Sequence, residues 1–175
     1  ILGSASYVIE AEGKTIIFSG DLGNKNPPLI KEWEPLTVKA DYCLIESAYG
    51  DRIHEDLDKR EEILEDVIEE TVKAGGVLMV PAFALERIQG LLFQLNALVE
   101  NGRIPRVPVF VDSPLAIKLT AVYKWHEKYF NADAWKMVSN DKSLFSFPGL
   151  KLSFTSEESK KIKNIPSPKV IIAGS

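Results

Sequence analysis

The sequence predicts an α/β protein: a three-layer unit from about residue 57 onward, with a parallel-type sheet flanked by helices, preceded by strands of a different sheet. Three observations carry this reading. Helical and strand-like segments alternate after residue 57. Val77-Leu78-Met79-Val80 is a continuous apolar run, the kind buried on both faces of a parallel sheet. Ahead of both lies a hairpin pattern closed by a local turn.

In order along the chain, Tyr7-Val8-Ile9 and Thr15-Ile16-Ile17-Phe18 read as two strands folded back across Glu12-Gly13-Lys14. Asp21 follows the second strand, with Gly20 and Gly23 freeing the backbone around it. Asn24 to Pro28 is a turn-rich connector. Residues 29–40 read as irregular, with Trp33 and Leu36 over a core edge. Tyr42-Cys43-Leu44-Ile45 reads as a short buried strand delivering Glu46 at its end. A helix is predicted from about Glu55 to Lys73, with Leu57, Leu64, Val67, Ile68 and Val72 inward. Glu55–Lys59 and Asp56–Arg60 support its outer face at i, i+4 spacing, and Gly75-Gly76 ends it. Residues 83–100 read as a helix with Leu85, Ile88, Leu92, Leu95 and Val99 inward, stopped by Asn101-Gly102. Val107 to Val111 is the next strand. Ser113 is a good N-cap and Pro114 a good first residue for a helix to about Phe130. Residues 131–150 show no single pattern. A strand at Leu152-Ser153-Phe154, a short helix at 156–163 and a strand at 169–173 complete the reading.

The composition is that of a globular protein: 175 residues, 45% hydrophobic and 26% charged. That length allows one good-sized core or two small ones. No apolar run approaches the roughly 18 residues that span a bilayer, and no basic–apolar–small leader pattern is present. No membrane partner is therefore expected. The one cysteine, Cys43, allows no internal disulfide and fits a reducing cytoplasm. A net charge of −4 argues against a surface coated with positive charge for nucleic acid. The charge is uneven, however. Residues 55–74 carry nine acids against three bases, whereas 151–175 carry five lysines against two glutamates. The basic stretch is either a solvated face or a local phosphate contact. The chain also opens and closes on core-like strands, so it is read as a piece of a longer protein.

Two carboxylates at strand ends are the candidates for chemistry. Asp21 suits metal binding and Glu46 suits general acid–base work, although an aspartate after a strand is also a common turn residue. Of the two histidines, His126 sits beside Trp125 and Glu127 and is read as structural or solvated. His54 lies just beyond the Gly50 loop with Asp51 and Arg52, and is better placed for a site. Dinucleotide and P-loop glycine patterns are absent. Cys43 sits mid-strand without a histidine partner, and neither Gly3-Ser4 nor Gly174-Ser175 makes a nucleophile elbow.

The combination of stretches resembles a known family. Leu2-Gly3-Ser4-Ala5-Ser6, Phe18-Ser19-Gly20-Asp21-Leu22-Gly23 and Glu46-Ser47-Ala48-Tyr49-Gly50-Asp51-Arg52, with His54, resemble the β-CASP branch of the metallo-β-lactamase-fold hydrolases. Pro81 to Gln89, Asp112-Ser113-Pro114-Leu115-Ala116 and Ile171 to Ser175 continue the likeness in order. The family includes ribonuclease J and the cleavage and polyadenylation nuclease.

The resemblance implies a zinc-dependent ribonuclease acting on single-stranded RNA in processing or decay, located in the cytoplasm, with a homodimer allowed. It places residues 1–55 in the metallo-β-lactamase (αββα) part and 56–175 in a β-CASP domain incomplete at its C-terminal end. Asp21 is implied as the carboxylate bridging two zinc ions, since its two oxygens can hold metals about 3.5–4 Å apart. Glu46 is implied as a catalytic acid working with a later histidine. Arg52 and His54 are implied to contact phosphate or to orient Glu46, and Arg87 and Ser113 to contact the substrate backbone. The family's His-x-His-x-Asp-His stretch is absent, and a zinc pair needs several histidines. The missing ligands are expected outside the chain, which alone is expected to be inactive and to hold no zinc tightly. The rival reading is a non-catalytic RNA-binding or scaffold subunit of the same family. Glu46 and Asp21 favour the catalytic one, and Glu-Ser-x-Tyr-Gly favours RNA over DNA.

Overall fold

The computed structural model describes residues 1–53, 59–140 and 143–174. The first hairpin forms from β1 (Tyr7–Ala11) and β2 (Lys14–Phe18), antiparallel from Tyr7↔Phe18 to Ala11↔Lys14. Its two-residue connection is Glu12-Gly13, with φ of 51° and 70°, the turn whose twist matches a hairpin. β3 (Tyr42–Leu44) lies parallel to β2, pairing Ile16↔Tyr42 and Phe18↔Leu44. The strand order is β1-β2-β3.

This small sheet is barely buried. The expectation of a buried strand at Tyr42–Ile45 is corrected: Tyr42 is 57% exposed, Leu44 53% and Ile45 65%, and Cys43 is exposed as well. β3 is an edge strand, and among the strand residues of this sheet only Ile17, on β2, is buried. Trp33 and Leu36 likewise stand in solvent rather than over a core edge. The connector enters the core earlier, through Leu29 and Ile30, where Ile30 bridges to Phe130.

The second sheet is fully parallel, in the order β4-β7-β5-β6. Its strands are β4 (Val77–Pro81), β5 (Val109–Asp112), β6 (Leu150–Leu152) and β7 (Lys169–Ala173). β7 sits between β4 and β5, pairing Val77↔Lys169 on one side and Val109↔Val170 on the other. The helices are α1 (Arg60–Lys73), α2 (Arg87–Glu100), α3 (Pro114–Trp125), α4 (Ala132–Ser139) and α5 (Ser156–Ile162). The core joins Ile88, Leu92, Leu95 and Leu98 of α2 to Val109 and Val111 of β5, Val170 and Ile172 of β7, Ile68 of α1 and Tyr123 of α3. The spacings of four, three and three along α2 set one helical stripe against the sheet.

Several boundaries depart from expectation for local reasons. Val77–Val80 is not covered on both faces: β4 is an edge strand, and Met79 is 67% exposed. The helix expected from residue 83 starts only at Arg87, because Glu86 takes a positive φ of 68° that no helix can contain. Leu85 is thereby left exposed rather than inward, and Val67 of α1 is exposed as well. The helix expected to reach Phe130 ends at Trp125, where the His126 Nδ1 lies 2.9 Å from the Val122 carbonyl oxygen, and a short 3-10 turn follows. α4 occupies part of the stretch without a clear pattern. Its start is capped by the Asn131 side chain, which accepts from the Ala134 N–H at 3.0 Å. The strand expected at 152–154 lies at 150–152. The expected first turn of α1 and its Glu55–Lys59 and Asp56–Arg60 pairs involve residues outside those described.

Candidate active site

Two parallel neighbours end side by side, and that is what brings Asp21 and Glu46 together. β2 ends at Phe18 opposite Leu44 of β3, so the residues after each strand emerge at the same sheet edge. The Ser19 N–H donates to the Leu44 carbonyl at 2.9 Å, extending the ladder by one rung. The Ser19 hydroxyl accepts from the Glu46 N–H at 2.9 Å and donates to the Gly20 carbonyl at 2.7 Å. Ser19 is buried and serves as the knot between the two strand ends.

The Asp21 loop is pinned from both sides. Glu46 Oε1 accepts from the Leu22 N–H at 2.6 Å and from the Gly23 N–H at 3.2 Å. Two successive N–H groups directed at one carboxylate oxygen form an anion-holding concavity. On the other side, the Ser4 hydroxyl accepts from the Asp21 N–H and donates to the Asp21 carbonyl, each at 3.0 Å. Gly20 is required here. Its φ is 60°, and a Cβ would stand 2.5 Å from the Ala5 carbonyl oxygen. The outcome is a rigidly held backbone carrying an exposed Asp21 carboxylate with no hydrogen-bond or ion-pair partner among the described residues.

The other candidate residues are placed as follows. Arg52 is exposed, with its Nε 3.1 Å from Asp51 Oδ1 and its guanidinium over the Tyr49 ring at 5.4 Å. His54 lies outside the described residues, as does Ser175. Arg87 is the exposed first residue of α2 and has no ion-pair partner among the described residues. Ser113 is 2% exposed, and its hydroxyl accepts from the Ala116 N–H at 3.2 Å, capping α3. Because β4, β5, β6 and β7 run parallel, the loops leading to Arg87 and Ser113 leave one edge of the sheet. In open α/β sheets the carboxyl ends of the strands are where ligands bind.

Among the described residues, no group of three or more histidine, cysteine, aspartate and glutamate side chains could hold a metal ion. Asp21 fits one ligand position, and the described residues do not make a zinc centre by themselves. Two residues of this site were not singled out as functional from the sequence: Ser4 and Ser19. Ser4 and Ser19 stand inside the stretches that carry the family resemblance, so a signal was there to read.

An exposed strand-end aspartate, clipped by a neighbouring strand-end glutamate, thus precedes a parallel, layered α/β unit. The chain belongs to the Beta-Casp domain family, whose model matches residues 88–175. It is 35% identical over 175 residues to ribonuclease TTHA0252 of Thermus thermophilus, covering 99% of this chain and 39% of that protein. It is 33% identical over 144 residues to an RNase J-like protein of Methanocaldococcus jannaschii, covering 80% of this chain and 34% of the relative. With cleavage and polyadenylation specificity factor subunit 3-I of Arabidopsis thaliana it shares 35% identity over 125 residues, 71% of this chain and 18% of that one. The chain thus spans well under half the length of these relatives. Among the described residues, no helix is long and apolar enough to cross a membrane.

Proposed function

We propose that this chain is part of a zinc-dependent ribonuclease that hydrolyses phosphodiester bonds in single-stranded RNA. The supporting observation is the Asp21 loop: an exposed carboxylate on a backbone held at 3.0 Å contacts by Ser4 and clipped by Glu46. Relatives named as ribonucleases support the substrate class. On this reading residues 1–55 belong to a metallo-β-lactamase part and 56–175 to the β-CASP domain. A cytoplasmic location and a homodimer belong to the same proposal.

Asp21 would be the ligand this stretch contributes to a zinc pair, which when bound supplies an activated water and offsets charge on the scissile phosphate. Glu46 has two tasks. One oxygen holds the Leu22 and Gly23 N–H groups, fixing the loop that carries Asp21. The carboxylate remains exposed to exchange a proton with a neighbouring acid–base group. Arg52 and Arg87 are exposed guanidiniums that would meet phosphate oxygens in forked geometry, Arg52 by exchanging its Asp51 contact. His54 completes the proposed set, whereas the buried Ser113 caps α3.

The test is a pair of substitutions in the full-length protein. Asp21→Asn should reduce bound zinc and cut RNA cleavage by about 100-fold or more, because an amide cannot bridge two cations. Glu46→Gln keeps an oxygen for the Leu22 and Gly23 amides but loses the titrating group. It should retain zinc and slow cleavage by about 100-fold. Full zinc and full activity in Asp21→Asn would end the metal assignment. A wild-type protein that binds RNA without cutting it would favour the scaffold reading.

A further inference from the structure

The loop that follows Glu46 carries a second feature beside the Asp21 loop. It starts from a fixed point, because the Glu46 N–H donates to Ser19 Oγ and the Glu46 carboxylate holds the Leu22 and Gly23 amides. Two tight turns follow in succession. The Gly50 N–H donates to the Ser47 carbonyl at 2.9 Å, and the Arg52 N–H donates to the Tyr49 carbonyl at 3.2 Å. Tyr49 is the third residue of the first turn and the first residue of the second, so the second turn brings Arg52 back beside it. The Arg52 guanidinium carbon lies 5.4 Å from the centroid of the Tyr49 ring. Both groups face solvent, Tyr49 at 54% exposure and the Arg52 side chain at 60%.

Tyr49 stands on a backbone that suits it poorly. Its φ is 59°, a left-handed conformation that turns ordinarily give to glycine or asparagine and that is strained for a bulky ring. Glycine would fill the position at no steric cost. What tyrosine adds there is its side chain, and the ring is set against Arg52. A cation is attracted to the negative face of an aromatic ring. That contact uses the face of the guanidinium, whereas hydrogen bonds use its five in-plane N–H groups. Tyr49 therefore holds Arg52 without consuming a donor. Of those donors, Nε lies 3.1 Å from Asp51 Oδ1, and the terminal nitrogens make no hydrogen bond among the described residues. A phosphate can replace the exposed Asp51 carboxylate in the guanidinium plane while the ring contact stays.

We infer that Tyr49 is a positioning residue: its ring is the seat of Arg52 and keeps the guanidinium oriented while Asp51 gives way to a phosphate of the substrate. This inference rests on the ribonuclease reading for the identity of the substrate, while the seat itself is independent of it. Tyr49 touches no reacting atom and acts through Arg52.

The experiment uses the full-length protein with Tyr49→Phe, Tyr49→Leu, Tyr49→Gly and Arg52→Ala. Two readouts are taken. The first is the rate at which phenylglyoxal modifies Arg52 in the absence of RNA, followed by peptide mass spectrometry. The second is kcat and KM on a single-stranded oligoribonucleotide, with zinc content and melting temperature measured alongside. Tyr49→Phe keeps the aromatic face and should match wild type within about twofold in both readouts. Tyr49→Leu and Tyr49→Gly should each raise the Arg52 modification rate and raise KM about three- to fivefold, the size of an exposed cation–π contact, at unchanged kcat and zinc. Tyr49→Gly should melt no lower than wild type, since it relieves the left-handed strain, so its loss of affinity does not come from unfolding. In the Arg52→Ala background, Tyr49→Leu should change KM no further, as expected for two groups acting as one unit. The inference is overturned if the modification rate of Arg52 is the same in wild type and all three Tyr49 variants, or if Tyr49→Gly has the wild-type KM. It is equally overturned if Tyr49→Leu raises KM as much without Arg52 as with it. If the wild type cuts no RNA, the ribonuclease reading fails, and the modification rates still decide whether Tyr49 seats Arg52.

Discussion

Asp41 shows how one side chain sets the register of the small sheet. Its Oδ1 accepts from Lys14 Nζ at 2.8 Å and its Oδ2 from the Thr15 N–H at 2.9 Å, while its own N–H donates to the Thr15 carbonyl at 2.9 Å. β3 is thereby fastened beside β2 just before Tyr42, which is what later aligns Glu46 with the Asp21 loop. The Lys14 ammonium, and then the Thr15 N–H, hold the Asp41 carboxyl below its ordinary value of 3.8. A carboxyl depressed in the folded state stabilises the fold above its unfolded pKa, and that contribution is lost as the pH falls through the folded one. Asp41→Asn should therefore be less stable than wild type at pH 7, with the gap closing below about pH 4 and shrinking in high salt. Urea denaturation of both proteins at pH 7 and at pH 3 checks this. An equal gap at both values would mean that the charge is not the source.

At the scale of the element, local signals were legible and tertiary ones were not. The start of α3 was readable because Ser113 and Pro114 act through neighbouring backbone, and β7 matches its predicted limits of 169 and 173 because Pro168 and Gly174 bracket its apolar run. The delayed start of α2 was not readable: a glutamate at a φ of 68° has no propensity to announce it, and its partner lies on another helix. Ser113 is where the two kinds of reading meet. Family resemblance implies a substrate contact, whereas the structure shows a buried helix cap. Ser113→Ala should cost about 0.5–2 kcal/mol of stability, the usual value of a lost N-cap, with KM for RNA unchanged. Thermal unfolding and steady-state kinetics on the same preparation separate the two, and a raised KM at unchanged stability would return Ser113 to the substrate.

Across the whole molecule, the α/β class and the parallel four-strand sheet followed from sequence, because the continuous apolar run of β4 and the alternation with helices are properties of the chain itself. The candidate site was legible only as separate residues. Asp21 and Glu46 become neighbours through the parallel pairing of β2 with β3, and pairing across 26 residues leaves no periodic trace. Exposure was the property least legible, since Cys43, Leu44 and Met79 are apolar-type residues whose burial depends on what covers an edge strand. The same contrast between the sheets predicts their dynamics. β5 and β7 are buried among α1, α2 and α3, whereas every residue of β1 and β3 is exposed. Opening free energy follows buried apolar contact, so the two sheets should not share one protection level. Native-state hydrogen exchange with increasing urea should show the amides of Val111, Val170 and Ile172 exchanging only by global unfolding. Those of Tyr7 to Ala11 should exchange by an opening several kcal/mol smaller and almost independent of urea, as expected for little surface newly exposed. A single common exchange isotherm for both sheets would show instead that the packing of Leu2 on the main core couples them into one cooperative unit.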